Sequence, residues 1–250
     1  MLILSIKHLY DCPIYLICDT AAKTFLEKFQ LGDVHFNVKA DPRHLEPLQP
    51  LLQKVDAKNE FHSVPAIYRK MDVIEWAIRE TGNTFFLDAD IVLLRPIDQD
   101  LTHPVMLSPH HYLLSEEASR SHRTRYGGFN AGYLFVAEEG LAAEWREIYL
   151  NRSSFYEQEG MALLFESFDV GKFDETHNVG FWRFPVYNKK MKIPEGYLGK
   201  AKSLHCHFDP SSYVNANQGL TGCYDLWSDI CREYLPDYLK IMSKEFKNTS

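Results

Sequence analysis

The sequence predicts an α/β protein, a single Rossmann-like domain with a mostly parallel central sheet flanked by helices. Three observations predict it. Short apolar runs alternate with helical segments, which puts strands in a sheet and helices on its faces. No repeat, low-complexity tract or Gly/Ser-rich linker interrupts the 250 residues, so 1–250 reads as one domain. The densest group of chemically active residues follows an apolar strand, at the sheet end where ligands bind in such folds.

The elements follow in order. Pro13–Cys18 (PIYLIC) is a short apolar run ending at Asp19, as expected of a buried parallel strand. Thr20 is placed to cap a helix from Ala21 to about Gln30, and Asp33–Val38 is a second strand. The next segment carries three prolines among leucines and glutamines and is expected to be loop and broken helix. Ser63 as cap and Pro65 in the first turn open a helix that Gly82 closes. Thr84–Leu87 is a strand delivering Asp88 and Asp90. Ala131–Val136 is a buried strand, Glu138 to about Leu150 a helix, and Ser154–Phe168 another. An irregular stretch with Asn178, Trp182 and Pro185 leads to a late strand, Ser203–His207. A C-terminal helical segment within 224–250 is expected to break or kink at Pro236.

Composition narrows the function. Thirty-four acidic residues against 27 basic ones give a formal charge of −7, which argues against broad nucleic-acid binding. A small anionic ligand is still compatible, because a bound cation can offset its charge. The five cysteines, at 12, 18, 206, 223 and 231, form no CxxC pair and read as small apolar residues of a reduced protein. No stretch approaches the roughly 18–20 apolar residues of a membrane span, and the amino end does not read as a signal peptide. The Asn151 and Asn248 sequons are therefore chance matches in a chain expected to be cytoplasmic.

The strongest chemical signal is FFLDADIVLLRPID, Phe85–Asp98. Two carboxylates separated by one residue fall on the same side if the chain stays extended. They repel, so they need a cation or a shared proton. A hard divalent ion, completed by diphosphate and water, satisfies them and can assist a departing nucleotide diphosphate. A pair of solvated turn acids is the plain alternative.

With GGFNAGYLFV (Gly127–Val136), YEQEGMALLF (Tyr156–Phe165) and KSLHCHF (Lys202–Phe208), this motif resembles glycosyltransferases of the GT-A fold. The likeness is particularly to glycosyltransferase family 8 and related nucleotide-diphospho-sugar transferases, and runs from about Pro13 to Phe208. The resemblance implies that Asp88 and Asp90 bind Mn2+ or Mg2+ and touch the donor, with His205 completing the metal site. It implies that Asn130, in the Asn-Ala-Gly segment after Gly128, lines the donor sugar, and that Glu157 and Gln158 lie near the reacting centre. Family 8 follows its histidine with a glycine and a diphosphate-binding lysine, whereas here the run is HCHFDPSSY. Lys70, polar on the otherwise apolar row Ala66, Ile74, Ile78, is the candidate replacement, and Arg69 is its neighbour.

His205 and His207 alternate on a strand-like segment, so both can face one way, and neutral imidazole suits such metals. Of the two, only His205 falls at the family's ligand position. Asn130 can donate to and accept from sugar hydroxyls. Asn178, Phe181 and Trp182 fall where an acceptor can bind, or are core. A GT-A domain opens with a strand, a helix and then the strand matched by PIYLIC. A parallel crossover needs a dozen or more residues, so Met1–Ile6 does not supply that first strand. Residues 1–10 instead read as the tail of the first helix, which leaves a strand edge open to self-association.

The function expected is metal-dependent transfer of a hexosyl-type sugar from a nucleotide sugar, UDP-linked, to a glycan or small hydroxyl acceptor. Resemblance to family 8 leans towards retention. Two rivals are a haloacid-dehalogenase-like phosphatase using Asp88 and Asp90, and a non-catalytic relative that binds glycans or partners.

Overall fold

A computed structural model describes residues 1–29, 31–38, 64–153, 157–207 and 221–235. The chain begins with α1 (Leu2–Leu9), β1 (Ile14–Cys18), α2 (Thr20–Leu26) and β2 (Val34–Val38). Next come α3 (Val64–Thr81), β3 (Thr84–Leu87), β4 (Ile91–Leu93), β5 (Val105–Pro109), α4 (Glu116–Tyr126), β6 (Phe129–Val136) and α5 (Leu141–Asn151). A 3-10 helix (Glu159–Glu166), β7 (Val170–Lys172) and a single 3-10 turn (Phe181–Arg183) follow. β8 (Val186–Tyr187), β9 (Lys190–Met191), α6 (Tyr197–Lys200), β10 (Ser203–His205) and α7 (Thr221–Tyr234) complete the described chain.

The protein is α/β, as its alternating pattern predicts. Strand direction is more mixed than the mostly parallel expectation. β1 pairs parallel with β2 and β5 parallel with β7, but β6 runs antiparallel to both β3 and β5, and β10 antiparallel to β4. For the β5–β6 pair a local reason lies in α4, which joins them. It is polar almost throughout, and Ser119 is its one buried residue among those described, so it has no apolar stripe to lay across the sheet as a crossover helix does. The chain therefore turns back at the end of β5. Ser115 caps α4 by accepting from the Ala118 amide, with Glu116 and Glu117 in the first turn favouring the helix dipole.

Other boundaries shift for local reasons. α2 is capped by Asp19, not Thr20: the Asp19 carboxylate accepts from the Ala22 amide at 2.7 Å. α5 starts at Leu141 because Gly140 holds a left-handed conformation with φ 89°. A 3-10 helix stands where an α-helix over Ser154–Phe168 is expected. There the chain is drawn tight against α5, where a Cβ on Gly160 would lie 2.5 Å from Ile148 Cγ2 and 2.7 Å from Ser153 Oγ. The helix read within residues 1–10 is present as α1, which packs on β4 and whose Ser5 hydroxyl accepts from the Leu93 amide at 3.1 Å. The proline-rich segment before α3, the Ser63 cap, the Ser154 start, Pro236 and the remainder of the C-terminal segment lie outside the described residues.

The main core is a helix layer on the four-stranded sheet β3-β6-β5-β7. Met71, Ile74 and Ile78 of α3 and Leu141, Trp145 and Ile148 of α5 pack with Leu134 and Val136 of β6. A second cluster gathers Val92, Val179, Leu204, Cys206 and Trp227 and supports β10 from behind. Among the described residues no helix is long and apolar enough to cross a membrane.

Candidate functional site

β3 stops at Leu87 because the chain turns. The Asp88 amide donates to the Gly132 carbonyl of β6 at 2.8 Å, and the Ile91 amide closes back on the Asp88 carbonyl at 3.0 Å. Asp88–Asp90 is thus a turn and not the extended run that would set both carboxylates side by side. Their side chains enter two adjoining clusters.

Asp88 meets Lys70 of α3. The Lys70 Nζ lies 3.1 Å from the Asp88 carboxylate and 3.2 Å from Glu157 Oε1. Burial alone would lower the Lys70 pKa, but the two carboxylates outweigh it and hold the ammonium well above its ordinary value. Burial raises the Asp88 carboxyl against the pull of Lys70 and His205. Glu157 is fixed through its backbone, whose carbonyl accepts from Trp145 Nε1 at 3.0 Å. Of the two basic candidates on α3, it is Lys70 that reaches Asp88.

Asp90 meets the histidines. His205 Nε2 is 3.0 Å from Asp90 Oδ1, and His207 Nδ1 is 3.2 Å from Asp90 Oδ2. Burial opposes ionisation of Asp90, but the two imidazoles win and its carboxyl is lowered. Burial likewise opposes protonation of His205, and the Asp90 carboxylate outweighs it, so the net shift is upward. His207 is pushed down to about 3, first by burial and then by His205. The strand ends at His205, two residues short of the expected His207, yet both rings face the same way. They stack with centroids 4.4 Å apart and planes at 8°. Ligand-type atoms of Asp90, His205 and His207 all lie within 4.8 Å of one another, a set able to hold a metal ion. Trp182 stands edge-on to both histidines and to His110, and Phe181 edge-on to His207, so an aromatic collar surrounds this set.

Asn130 and Asn178 hold the histidine from behind. Asn130 Oδ1 accepts from the Gly132 amide at 3.0 Å and from Asn178 Nδ2 at 3.0 Å, and Asn178 Oδ1 lies 3.0 Å from His205 Nδ1. The Asn130 oxygen, expected at the donor sugar, is thus spent within the protein. Gly128 and Gln158 are half-buried. The Gly128 carbonyl accepts from the His110 amide, and a Cβ at Gly128 would meet nothing within 4 Å, so space remains there. Gly127 is the tighter of the two glycines, with φ 81° and a Cβ position 2.9 Å from the Gln158 carbonyl.

Two contributors escape the sequence reading. Gly132 sits where a Cβ would be 2.4 Å from Asp88 Oδ2 and 2.9 Å from His205 Cε1. A glycine inside a strand pattern is the signal that marks such a close approach. Arg183 is fully buried and donates to the carbonyls of Glu175, His177 and Asn178 and to the Tyr197 hydroxyl. It holds Asn178 in a left-handed backbone conformation, φ 52°. Lysine there keeps the charge but cannot span these acceptors. Arg183→Lys is expected to cost about 1–3 kcal/mol for each carbonyl left unpaired, read as a lower midpoint in urea unfolding.

No family model matches the sequence, nor does any curated protein. Several solved structures are similar in backbone, among them these three. One is a glycosyltransferase involved in the glycosylation of the major capsid of PBCV-1, at 15% identity and TM-score 0.45 over 78% of this chain and 93% of that one. Mouse xyloside xylosyltransferase 1 matches at 13% identity and TM-score 0.47 over 82% and 89% of the respective chains. The glycosyltransferase GlyE of Streptococcus pneumoniae TIGR4 matches at 15% and TM-score 0.47, covering 98% of this chain but 58% of that one.

Proposed function

We propose that this chain transfers a sugar from a nucleotide-sugar donor, UDP-linked, to a hydroxyl of a glycan or other acceptor, with the help of a divalent ion. The observation that carries this reading is Asp90, on the turn after β3, facing His205 at the end of the late strand β10 at 3.0 Å. This is the pairing of carboxylate and late-strand histidine that the motif resemblance implies, reached from residues 115 positions apart. Carboxylate and imidazole together suit Mn2+ better than Mg2+. A bound ion would supply charge neutralisation of the departing diphosphate.

The chain's own groups would divide the remaining work. Asp90 and His205 hold the ion, and Asn178 keeps the His205 ring oriented. Lys70, cationic between Asp88 and Glu157, stands ready to meet an anionic donor beside them. The motif resemblance assigns Glu157 and Gln158 to the reacting side, and the collar of Trp182 and Phe181 would keep water from the imidazoles. The transfer is proposed to be of hexosyl type and to retain configuration, as the family 8 resemblance implies. A phosphatase built on the same two aspartates calls for an acidic pair at a late strand end; β10 brings histidines there instead.

UDP binding measured by calorimetry is expected to tighten at least about tenfold with Mn2+ over chelator, and Asp90→Asn, which keeps shape and loses charge, is expected to remove that difference. Equal UDP affinity with chelator and with Mn2+ would falsify the reading.

A further inference from the structure

We infer that Asp90, His205 and His207 form a three-ligand centre that takes a first-row transition ion in preference to Mg2+, with Asp88 held apart from it by Lys70. This deepens the metal-dependent reading above and rests on it for the purpose of the ion. The ligand set itself stands on four observations.

The first is the donor chemistry. Two imidazoles and one carboxylate, with ligand atoms within 4.8 Å of one another, make a nitrogen-rich set. Imidazole suits Mn2+, Co2+ and Zn2+, whereas Mg2+ prefers an octahedron of oxygens and gives up its waters reluctantly.

The second is a fixed tautomer. The Gly132 N–H can only donate, so the Asn130 atom it meets is the amide oxygen. That oxygen also faces the Asn178 amide, which must therefore present its NH2 there and its oxygen towards His205 Nδ1. Nδ1 then carries the hydrogen. Nε2 is thereby left as the ligating atom, and it faces Asp90 Oδ1 from 3.0 Å, a position that a proton or a metal ion can bridge.

The third is the backbone of His207. Its φ of 48° is left-handed, which a non-glycine residue adopts at a cost. The turn after β10 places this ring parallel to His205 and its Nδ1 3.2 Å from Asp90 Oδ2. Each Asp90 oxygen thus meets one imidazole.

The fourth is the position of Asp88. Its carboxylate is matched by Lys70 at 3.1 Å, and Gly132 leaves just enough room for it to stay there. The centre accordingly carries one carboxylate. A divalent ion held by it keeps a net positive charge for an anionic ligand, where two carboxylates would cancel that charge.

The test uses the whole chain, stripped with chelator, and no nucleotide. Co2+ is titrated while its visible absorbance is followed, and Mg2+, Mn2+ and Zn2+ are then added as competitors. One Co2+ is expected to bind per chain, Zn2+ to displace it, and Mg2+ at about a hundredfold excess to leave the spectrum unchanged. His207→Ala is expected to weaken Co2+ binding by at least about 100-fold, and Asn178→Ala by about 10–100-fold, the range for a partner behind a ligand. Circular dichroism establishes that each variant is folded, and the native competition stands without any variant. Displacement of Co2+ by equimolar Mg2+, or native Co2+ affinity in folded His207→Ala, would overturn the assignment. Because nucleotide is absent, a selective metal site with no UDP effect would sink the sugar-transfer reading and leave the ligand set standing.

Discussion

Lys70→Met is expected to destabilise the protein by about 2–3 kcal/mol near neutral pH. Methionine keeps most of the stem but leaves Asp88 and Glu157 without their shared cation. Breaking a fully buried pair costs about 3–5 kcal/mol. Lys70 and Asp88 keep 24% and 25% of their side-chain surface exposed, which screens part of that loss, whereas Glu157, at 6%, is not so relieved. The pH dependence has a definite sign. Burial already raises the Asp88 carboxyl above its unfolded value, and removing Lys70 raises it further. A carboxyl with a raised folded pKa binds its proton more readily when folded, so acid favours the folded variant. The deficit relative to the native chain is therefore largest near pH 7 and shrinks as pH falls through the raised pKa. Urea unfolding of both proteins across that range measures it. A deficit that grows on acidification would show that Lys70 does not serve these carboxylates.

Gly132→Ala is expected to cost about 1–3 kcal/mol, the range for overpacking a closed interior, and to damage the ion pair more than the sheet. The added methyl would meet Asp88 Oδ2 at 2.4 Å and Asp88 Cγ at 2.8 Å. The carboxylate is the softer side of this contact, so it yields by leaving Lys70 while β6 keeps its pairing with β3. His205 Cε1, 2.9 Å from the same methyl, is displaced with it. Thermal unfolding and Co2+ titration of the variant should both report loss. A variant with native midpoint and native metal affinity would mean that the close approach at Gly132 is easily relaxed.

The fold class was legible because strongly periodic segments carry it. PIYLIC, TFFL and the apolar end of GGFNAGYLFV are strands as read, and α3 and α5 are helices. β4 and β7 were not, because three residues are too few to establish a period, and β5 (VMLSP), which breaks into Ser and Pro after three apolar residues, was not read either. α4 is held by its cap and its charged first turn, not by an apolar face, so hydrophobic patterning passes over it. The site was legible as residue types but not as partnerships. Asp88, Asp90, Lys70, Glu157 and His205 were each singled out, yet the division into Lys70–Asp88–Glu157 and Asp90–His205–His207 depends on a turn at Ala89 that alternation along a strand does not foresee. Asn178 was marked for an acceptor and instead orients His205. Only the fold brings it beside Asn130, 48 positions earlier.

The shared helix α3 has one more consequence. It packs on β1 and on β3, which belong to separate sheets, and carries both Trp76, edge-on to Tyr15 of β1, and Lys70. Of the strand residues in β1 and β2, Ile14 alone is buried, and α2 has no buried residue among those described. That amino-terminal corner therefore has little holding it shut and is expected to open locally before β5 and β6 do. When the corner opens, α3 is stripped along one flank, and the lysine that balances Asp88 and Glu157 rides on that helix. The protection of the site's charges is thus set partly by a loosely packed corner of the fold that contributes no residue to the site.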